Sequence, residues 1–389
     1  MKKLLIAFCM ISTVLIGCSS DTSIQYTYNQ PEELNDGIDV ANLADVNMDF
    51  SSLADGVEKI YAGKYPEVHS ILVLRNSSLV FEEYFSGHKY QWDGPGWHGE
   101  WVKWDRSTPH EIMSDTKSIV SANIGIAVDQ GLIESVHQSI FDYLPDYQQF
   151  ISGGKGGITI EHLLTMTSGL EWNEWDSSYT DAANDGYLLW IDCEDQIACI
   201  LEKPLIHEPG TTFNYNGGNM SLLAAILQNA VGLDIEEFSG KYLFEPLGID
   251  APLWARYESG VIDGSYGIKL TPREMAKVGL IFLNKGEWEG ERIISEDWVE
   301  KSAEPFPGNE QIKVPGTDAG KNGYTYTWWT DEYTHKGESI HMFYAGGWGG
   351  QDIMVLPELE AVVVFTGGNY ATKVRNFSIL EKYILPAFE

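Results

Sequence analysis

Ser114-Asp115-Thr116-Lys117-Ser118-Ile119-Val120 sets a Ser and a Lys three residues apart at the head of an apolar-periodic stretch. The stripe Ile119, Val120, Ile124, Ala127, Val128 ends at Gly131, and its spacing predicts a helix over Ser118–Gln130. On the first turn of that helix, residues i and i+3 face the same way. The Lys amine can take the Ser hydroxyl proton, while the helix N-terminus offers backbone N–H groups to a developing oxyanion. The bare pattern recurs at Ser86–Lys89 and Ser152–Lys155. Ser86 closes a strand-like run before Gly87, and Ser152 lies in Ser152-Gly153-Gly154-Lys155-Gly156-Gly157, which reads as a loop. Only Ser114 leads a helix, and the competing reading there is a Ser N-cap with a solvated Lys.

Upstream of this segment, a helix is expected near Phe50–Ala62. Ile71-Leu72-Val73-Leu74, Asn76-Ser77-Ser78 and Leu79-Val80-Phe81 read as a β-hairpin, followed by aromatic loop sequence with Trp92, Trp97, Trp101 and Trp104. Downstream, helical pattern covers Glu161–Met166, Leu188–Leu205, Ser221–Val231 and Pro272–Asn284. The chain then returns to strands at Phe343-Tyr344-Ala345, Ile353–Leu356 and Ala361–Phe365, before a last helix over Val374–Ile384. Strands at both ends with helices between predict an α+β fold, its sheet assembled from the two termini. Residues 46–110 and 255–389 form the α/β part of one domain, and residues 111–254 the mostly helical part.

The N-terminus reads as a processing signal. Lys2 and Lys3 precede the apolar run Leu4–Leu15, and Leu15-Ile16-Gly17-Cys18 resembles a bacterial lipobox. This predicts a signal peptide over residues 1–17, lipidation of Cys18 and a polar tether over residues 18–45. The protein is then expected in a bacterial cell envelope, held to the membrane by that lipid, on the periplasmic side of the outer membrane because Ser19 follows the Cys. An ordinary signal peptide with an incidental Cys is the alternative. With 57 acidic against 25 basic residues the formal charge is −32, which excludes nucleic acid as a partner, since phosphate binding needs concentrated Lys and Arg. Cys193 and Cys199 lie too far apart on one straight helix to bridge, so a disulfide requires a bend or a helix start between them. No Cys/His spacing suggests a metal, no cofactor motif is present, and Gly-x-Ser-x-Gly is absent.

Two further segments can carry chemistry. In Glu208-Pro209-Gly210-Thr211-Thr212-Phe213-Asn214-Tyr215-Asn216-Gly217-Gly218-Asn219, Tyr215 stands among small and polar residues just before an apolar helix. Its phenol can relay a proton beside a cation, or simply pack its ring. Ala345-Gly346-Gly347-Trp348-Gly349-Gly350-Gln351 lies between two strands, where its glycines allow close backbone approach to a ligand or a flexible turn.

Together these segments resemble the serine β-lactamase and penicillin-recognising hydrolase superfamily, in its class C-like branch with esterases and 6-aminohexanoate-dimer hydrolases. Ser114-Asp115-Thr116-Lys117 is similar to the first motif of that family and Tyr215-Asn216-Gly217 to the second. The glycine-rich strand before Gln351 stands where Lys-Thr-Gly is found. His162–Leu170, Pro209-Gly210-Thr211, Leu270–Ala276 and Tyr326-Thr327-Trp328-Trp329 agree as well. The resemblance implies an antiparallel sheet flanked by terminal helices beside an all-helical domain. It implies that Ser114 attacks a small acyl substrate to give an acyl-enzyme, with Lys117 and Tyr215 as a coupled proton shuttle. Lys117, near the positive end of a helix, is expected to favour its neutral form. The oxyanion donors are the backbone N–H groups of Ser114 and Trp348, or of Gln351 in the other register of the third motif. Trp172, Trp175, Asn216, Gly347 and Trp348 are the expected pocket residues.

Two departures shape the expected substrate. The third motif lacks its Lys, the cation that receives a substrate carboxylate in a desolvated cleft. An esterase or linear-amide hydrolase is therefore expected, with a DD-peptidase or β-lactamase as the alternative and a catalytically silent binding protein as the reading from another class. Gly217 stands at the usual Asn or Ser, and Asn216 or Asn219 is the candidate to replace that amide.

Overall fold

The computed structural model describes residues 25–389; the expected signal peptide and the expected lipidation site, Cys18, lie outside the described residues. An eight-stranded sheet carries the fold. Its strands are β1 (Asp39–Val40), β2 (Val68–Arg75), β3 (Ser78–Tyr84), then β6 (Gly323–Tyr324), β7 (Trp329–His335), β8 (Glu338–Gly347), β9 (Gln351–Leu356) and β10 (Ala361–Gly367). A separate hairpin pairs β4 (Ser86–Tyr90) with β5 (His98–Lys103). The order across the large sheet is β1-β3-β2-β10-β9-β8-β7-β6, antiparallel except for the β1–β3 pair. The two ends of the chain meet at β2–β10, where Val73 faces Val363. This is the α+β arrangement that the alternation of strand and helix patterns predicts.

Local chemistry explains the principal elements. Asn76 and Ser77 both hold positive φ, 52° and 60°, as a two-residue hairpin turn between right-twisted strands requires. Helix α1 (Phe50–Tyr61) buries Leu53, Val57 and Ile60, one stripe at helical spacing. Helix α2 (Asp115–Asp129) is buried from Asp115 to Ala127, so it runs through the interior and shows no polar face. Helix α3 (Gly218–Val231) packs beside it, and helix α4 (Pro272–Leu283) crosses β2, β9 and β10. Pro272 and the reciprocal Thr271–Glu274 capping box start α4. Gly279 lets it close on the sheet, because a Cβ there would stand 2.5 Å from Val362 Cγ1. Among the described residues no helix is long and apolar enough to cross a membrane.

The structure departs from the sequence expectations in three places. The polar stretch read as a tether is laid against the sheet from Tyr26 onward. Tyr28 Oη donates to Val80 O at 2.9 Å, Tyr26 bonds Glu83, and β1 pairs with β3. Sparse anchors (Tyr26, Tyr28, Ile38, Leu43) do this without periodicity, so no pattern announces it. The aromatic loop after β4 contributes a second strand, β5. The helix expected over Leu188–Leu205 breaks into Asp185–Ile191 and Gln196–Glu202. Asp195 caps the second piece by accepting from Ala198 N at 3.0 Å. That break supplies the bend a bridge requires, and Cys193 and Cys199 form a disulfide with Cα atoms 6.3 Å apart.

Candidate active site

The approach to Ser114 is clamped on two sides. His110 and Glu111 pair with Leu270 and Lys269, and Ile112 N donates to Ile268 O at 3.0 Å. Met113 then takes φ of +51°, a left-handed turn that a Met adopts only under constraint. The chain enters α2 directly after it. From the other side, β8 presses its end against this approach. A Cβ on Gly347 would stand 2.3 Å from Ile112 O and 3.2 Å from Met113 Cβ, so only glycine fits. Trp348 follows at the turn. Among the described residues neither the Ser114 nor the Trp348 backbone N–H has a protein acceptor. Gln351, the other candidate donor, is fully buried, pairs with Gly347, and uses its side-chain amide to hold Gly367.

Lys117 Nζ lies 3.1 Å from Ser114 Oγ and donates to Ser265 O at 2.8 Å. The ammonium stands 4.8 Å from the centroid of the Tyr215 ring. Trp175 stacks on that ring at 4.8 Å, and Trp329 lies near-parallel with its centre 6.3 Å from Tyr215 and 6.2 Å from Trp175, so the phenol packs into a cluster of three aromatic rings. Burial works to lower the Lys117 pKa, but negative potential from Tyr215, Glu174 and Asp263 outweighs it, and the net shift is upward. This direction is opposite to the pull of the helix dipole, with Tyr215 first and then Glu174 and Asp263 acting on the amine at shorter range.

Glu174 is the residue that sequence reasoning missed. Its carboxylate accepts from Gly217 N at 2.6 Å and Trp172 Nε1 at 2.8 Å through one oxygen, and from Tyr179 Oη at 2.8 Å through the other. A Cβ on Gly217 would lie 3.0 Å from that carboxylate. Gly217 thus stands where an amide side chain was expected because Glu174 fills the space. Asn216 and Asn219 do not replace the amide. Asn216 Oδ1 accepts from Asn219 N at 3.2 Å, and Asn219 Nδ2 points to Met166 Sδ at 3.7 Å, both fully buried away from the cleft. Asp263, also buried, accepts from Ser265 N at 2.7 Å and Trp190 Nε1 at 2.9 Å. Burial raises its pKa.

Two connected cavities, of about 970 and 390 Å³, open at Ser114. Ser114, Glu174, Tyr179 and Trp348 line both. Trp175, Tyr215 and Gly347 wall the larger, and Lys313 and Lys373 also line it. The smaller is walled by Trp92, Tyr187, Trp190 and Tyr266, with Lys117 and Asp263 at its base. Trp172, expected in the pocket, is buried behind the wall, where it braces Glu174. Asn216 is likewise outside both cavities. Trp97 on the β4–β5 hairpin packs edge-on against Trp348 at 4.9 Å and roofs the larger cleft.

A family model described as Beta-lactamase matches residues 67–376, most of the chain. The chain belongs to this family. A 6-aminohexanoate-dimer hydrolase of Paenarthrobacter ureafaciens is 25% identical over 309 residues, 76% of this chain and 71% of the relative. A family VIII carboxylesterase aligns over 82% of this chain and 91% of its own, with a TM-score of 0.60 at 17% identity. The octameric penicillin-binding protein homologue of Pyrococcus abyssi covers 82% of this chain and 74% of its own, with a TM-score of 0.59 at 21% identity. The two structures share the fold with this β-lactamase-family chain. Its relatives include amide and ester hydrolases.

Proposed function

We propose that the protein is a serine hydrolase that cleaves small esters or linear amides through an acyl-enzyme on Ser114. The observation that carries this reading is the 3.1 Å approach of Lys117 Nζ to Ser114 Oγ, at the mouth of a cleft next to two backbone N–H groups that have no acceptor among the described residues. Ser114 Oγ bonds to the acyl carbon, and its proton enters the Lys117–Tyr215 unit. That proton is shared by Lys117 and Tyr215 as one coupled unit, with no single member assigned as its first acceptor. The Ser114 and Trp348 N–H groups take the oxyanion. The unit then returns the proton to the leaving alkoxide or amine as its bond to the acyl carbon breaks. Water, deprotonated by the same unit, releases the acid and restores Ser114.

The aromatic walls of the smaller cavity suit an apolar acyl or leaving group, and the absence of a Lys in the third motif argues against carboxylate-bearing β-lactams. A second reading, a DD-peptidase, draws support from Lys313 and Lys373 in the lining of the larger cleft, which could receive a peptide carboxylate. Turnover of p-nitrophenyl acetate and nitrocefin, measured side by side, separates them. Ester turnover abolished by Ser114→Ala is expected, whereas fast nitrocefin hydrolysis without ester turnover would overturn the first reading. No Ser114-dependent fluorophosphonate labelling would favour the silent binding protein. The envelope placement belongs to the same proposal: Cys18→Ala should move the protein from the membrane to the soluble fraction.

A further inference from the structure

We propose that Glu67, His88 and His98 form a binding site for one divalent transition-metal ion of the zinc type, separate from the Ser114 site. The three residues come from three places in the chain: the residue before β2, the middle of β4 and the start of β5. Each offers one ligand atom, and these atoms all lie within 4.8 Å of one another. Two imidazoles and one carboxylate, with water in the fourth position, make a standard donor set for four-coordinate zinc.

The hydrogen bonds leave His98 Nδ1 free and join His88 Nδ1 to Glu67 Oε1 through a proton that an arriving ion would displace. His98 Nε2 lies 2.8 Å from Gly368 O, so that nitrogen carries the proton and Nδ1 keeps its lone pair. A metal-bound imidazole is commonly oriented by such a carbonyl. His88 Nδ1 is 2.8 Å from Glu67 Oε1, close to the spacing of about 3 Å that two ligands adopt around a shared zinc ion. The second Glu67 oxygen accepts from His88 N at 2.9 Å and lies 3.4 Å from Nε2 of the buried His69, an outer layer that orients the carboxylate. Steric room is reserved for this group. A Cβ on Gly87 would meet His69 at 2.4 Å and Glu67 at 3.0 Å, and one on Gly368 would meet both at 2.8 Å.

The His88 and His98 rings are stacked, 4.4 Å apart and 6° from parallel. Two parallel rings cannot direct their lone pairs at one point, so the ion closes the site by turning one ring. His88, with 31% of its side chain exposed, is the ring with freedom to turn. Glu67 itself holds φ of +57°, a conformation uncommon for a residue of its type. An ion here would tie the start of β2, the β4–β5 hairpin and the end of β10 together. That hairpin carries Trp97, the neighbour of His98, against Trp348 of the cleft. Sequence spacing gives no sign of the site, since its ligands lie 10 to 31 residues apart.

The test is equilibrium dialysis of the full-length, tag-free protein against zinc, with bound metal counted per chain. One ion per chain is expected. His98→Ala and Glu67→Gln should each weaken binding by about 10–100-fold or more, the loss that even an outer partner of a metal site causes. His137→Ala, which alters an exposed His beside Glu161, should change nothing. Zinc should raise the Tm of the wild type in a concentration-dependent way and, at the same concentration, raise that of both variants much less. If a variant fails to fold, cobalt added to the wild type decides: one equivalent should give the intense visible bands of a four-coordinate ion. Only the weak spectrum of hydrated cobalt, no stoichiometric zinc on the folded wild type, or undiminished zinc on folded His98→Ala would overturn the proposal.

Discussion

Gly347→Ala tests the idea that close contact between β8 and the approach to Ser114 builds the oxyanion site. The added Cβ would stand 2.3 Å from Ile112 O, the atom that also accepts from Asp115 N at 3.2 Å. Comfortable contact is about 3.5 Å, so the strand end and the Ser114 approach must part by roughly 1 Å. Trp348 moves with the strand and Ser114 with the loop, so the two backbone donors separate. Misplacement by about 1 Å can cost about 100-fold in rate, and loss of one oxyanion donor costs about 100- to 1,000-fold. The overpacking itself should cost about 1–3 kcal/mol of stability, a fall of a few degrees in Tm. The expected result is thus a folded protein whose kcat for p-nitrophenyl acetate drops by about two orders of magnitude with a smaller change in KM. Steady-state kinetics and thermal unfolding of the same preparation check this. Wild-type kcat together with wild-type Tm would refute the close-contact argument.

Three other outcomes are expected. Glu174→Gln removes negative charge that supports the Lys117 ammonium, so the acid limb of the pH–rate profile should move to lower pH; an unmoved limb denies the coupling. Asp115 is fully buried with neither carboxylate oxygen hydrogen-bonded among the described residues; burial first, then the charge of Asp352, raise its pKa well above the usual range against the opposing pull of Lys117. The folded chain therefore keeps a proton that the unfolded chain loses above about pH 4, and stability is complete below that pH and declines as pH rises. Asp115→Asn should reduce that decline by up to about 1.4 kcal/mol per pH unit, read by urea unfolding across pH, and an unchanged slope removes the claim. Asp263 and Asp352 have raised pKa values as well, so part of the decline should persist. Cys193→Ser opens a loop of sequence separation 6, which should cost about 2 kcal/mol by chain entropy and lower the Tm by a few degrees; identical melting of the oxidised wild type and the variant would contradict it.

What the sequence reveals about this protein is what can be written locally. The stripe from Ile119 to Val128, the Asn76-Ser77 turn, the β-branched run at Ala361–Phe365 and the Thr271-Pro272 helix start each depend on neighbours within a few residues, and each forms where the pattern places it. The α+β architecture follows from their order. Glu174 was not legible, because it sits in the aperiodic stretch Glu171-Trp172-Asn173-Glu174 and acts on Gly217 and Lys117 through space. One indirect sign existed: Gly217 in place of an amide side chain leaves a space that something must fill. Trp172 misled for the opposite reason, since an indole near a motif can wall a cleft or brace a neighbour, and only the 2.8 Å bond to Glu174 decides. The upward pull on Lys117 was not legible because a helix end is visible in sequence, whereas Tyr215, Glu174 and Asp263 come near the amine only in the fold.

The pairing of β2 with β10 sets the timing of maturation. A ribosome releases Ser114, Lys117 and Tyr215 long before Ala361–Gly367 emerges, yet β2 has no partner on its second edge until that stretch arrives. The nascent chain must wait with an apolar strand half covered, and closing so large a loop is slow. A stop codon shortly before Ala361 would thus spare every residue assigned to the chemistry and still leave a product with a torn sheet, prone to pair with other chains along the bare edge of β2.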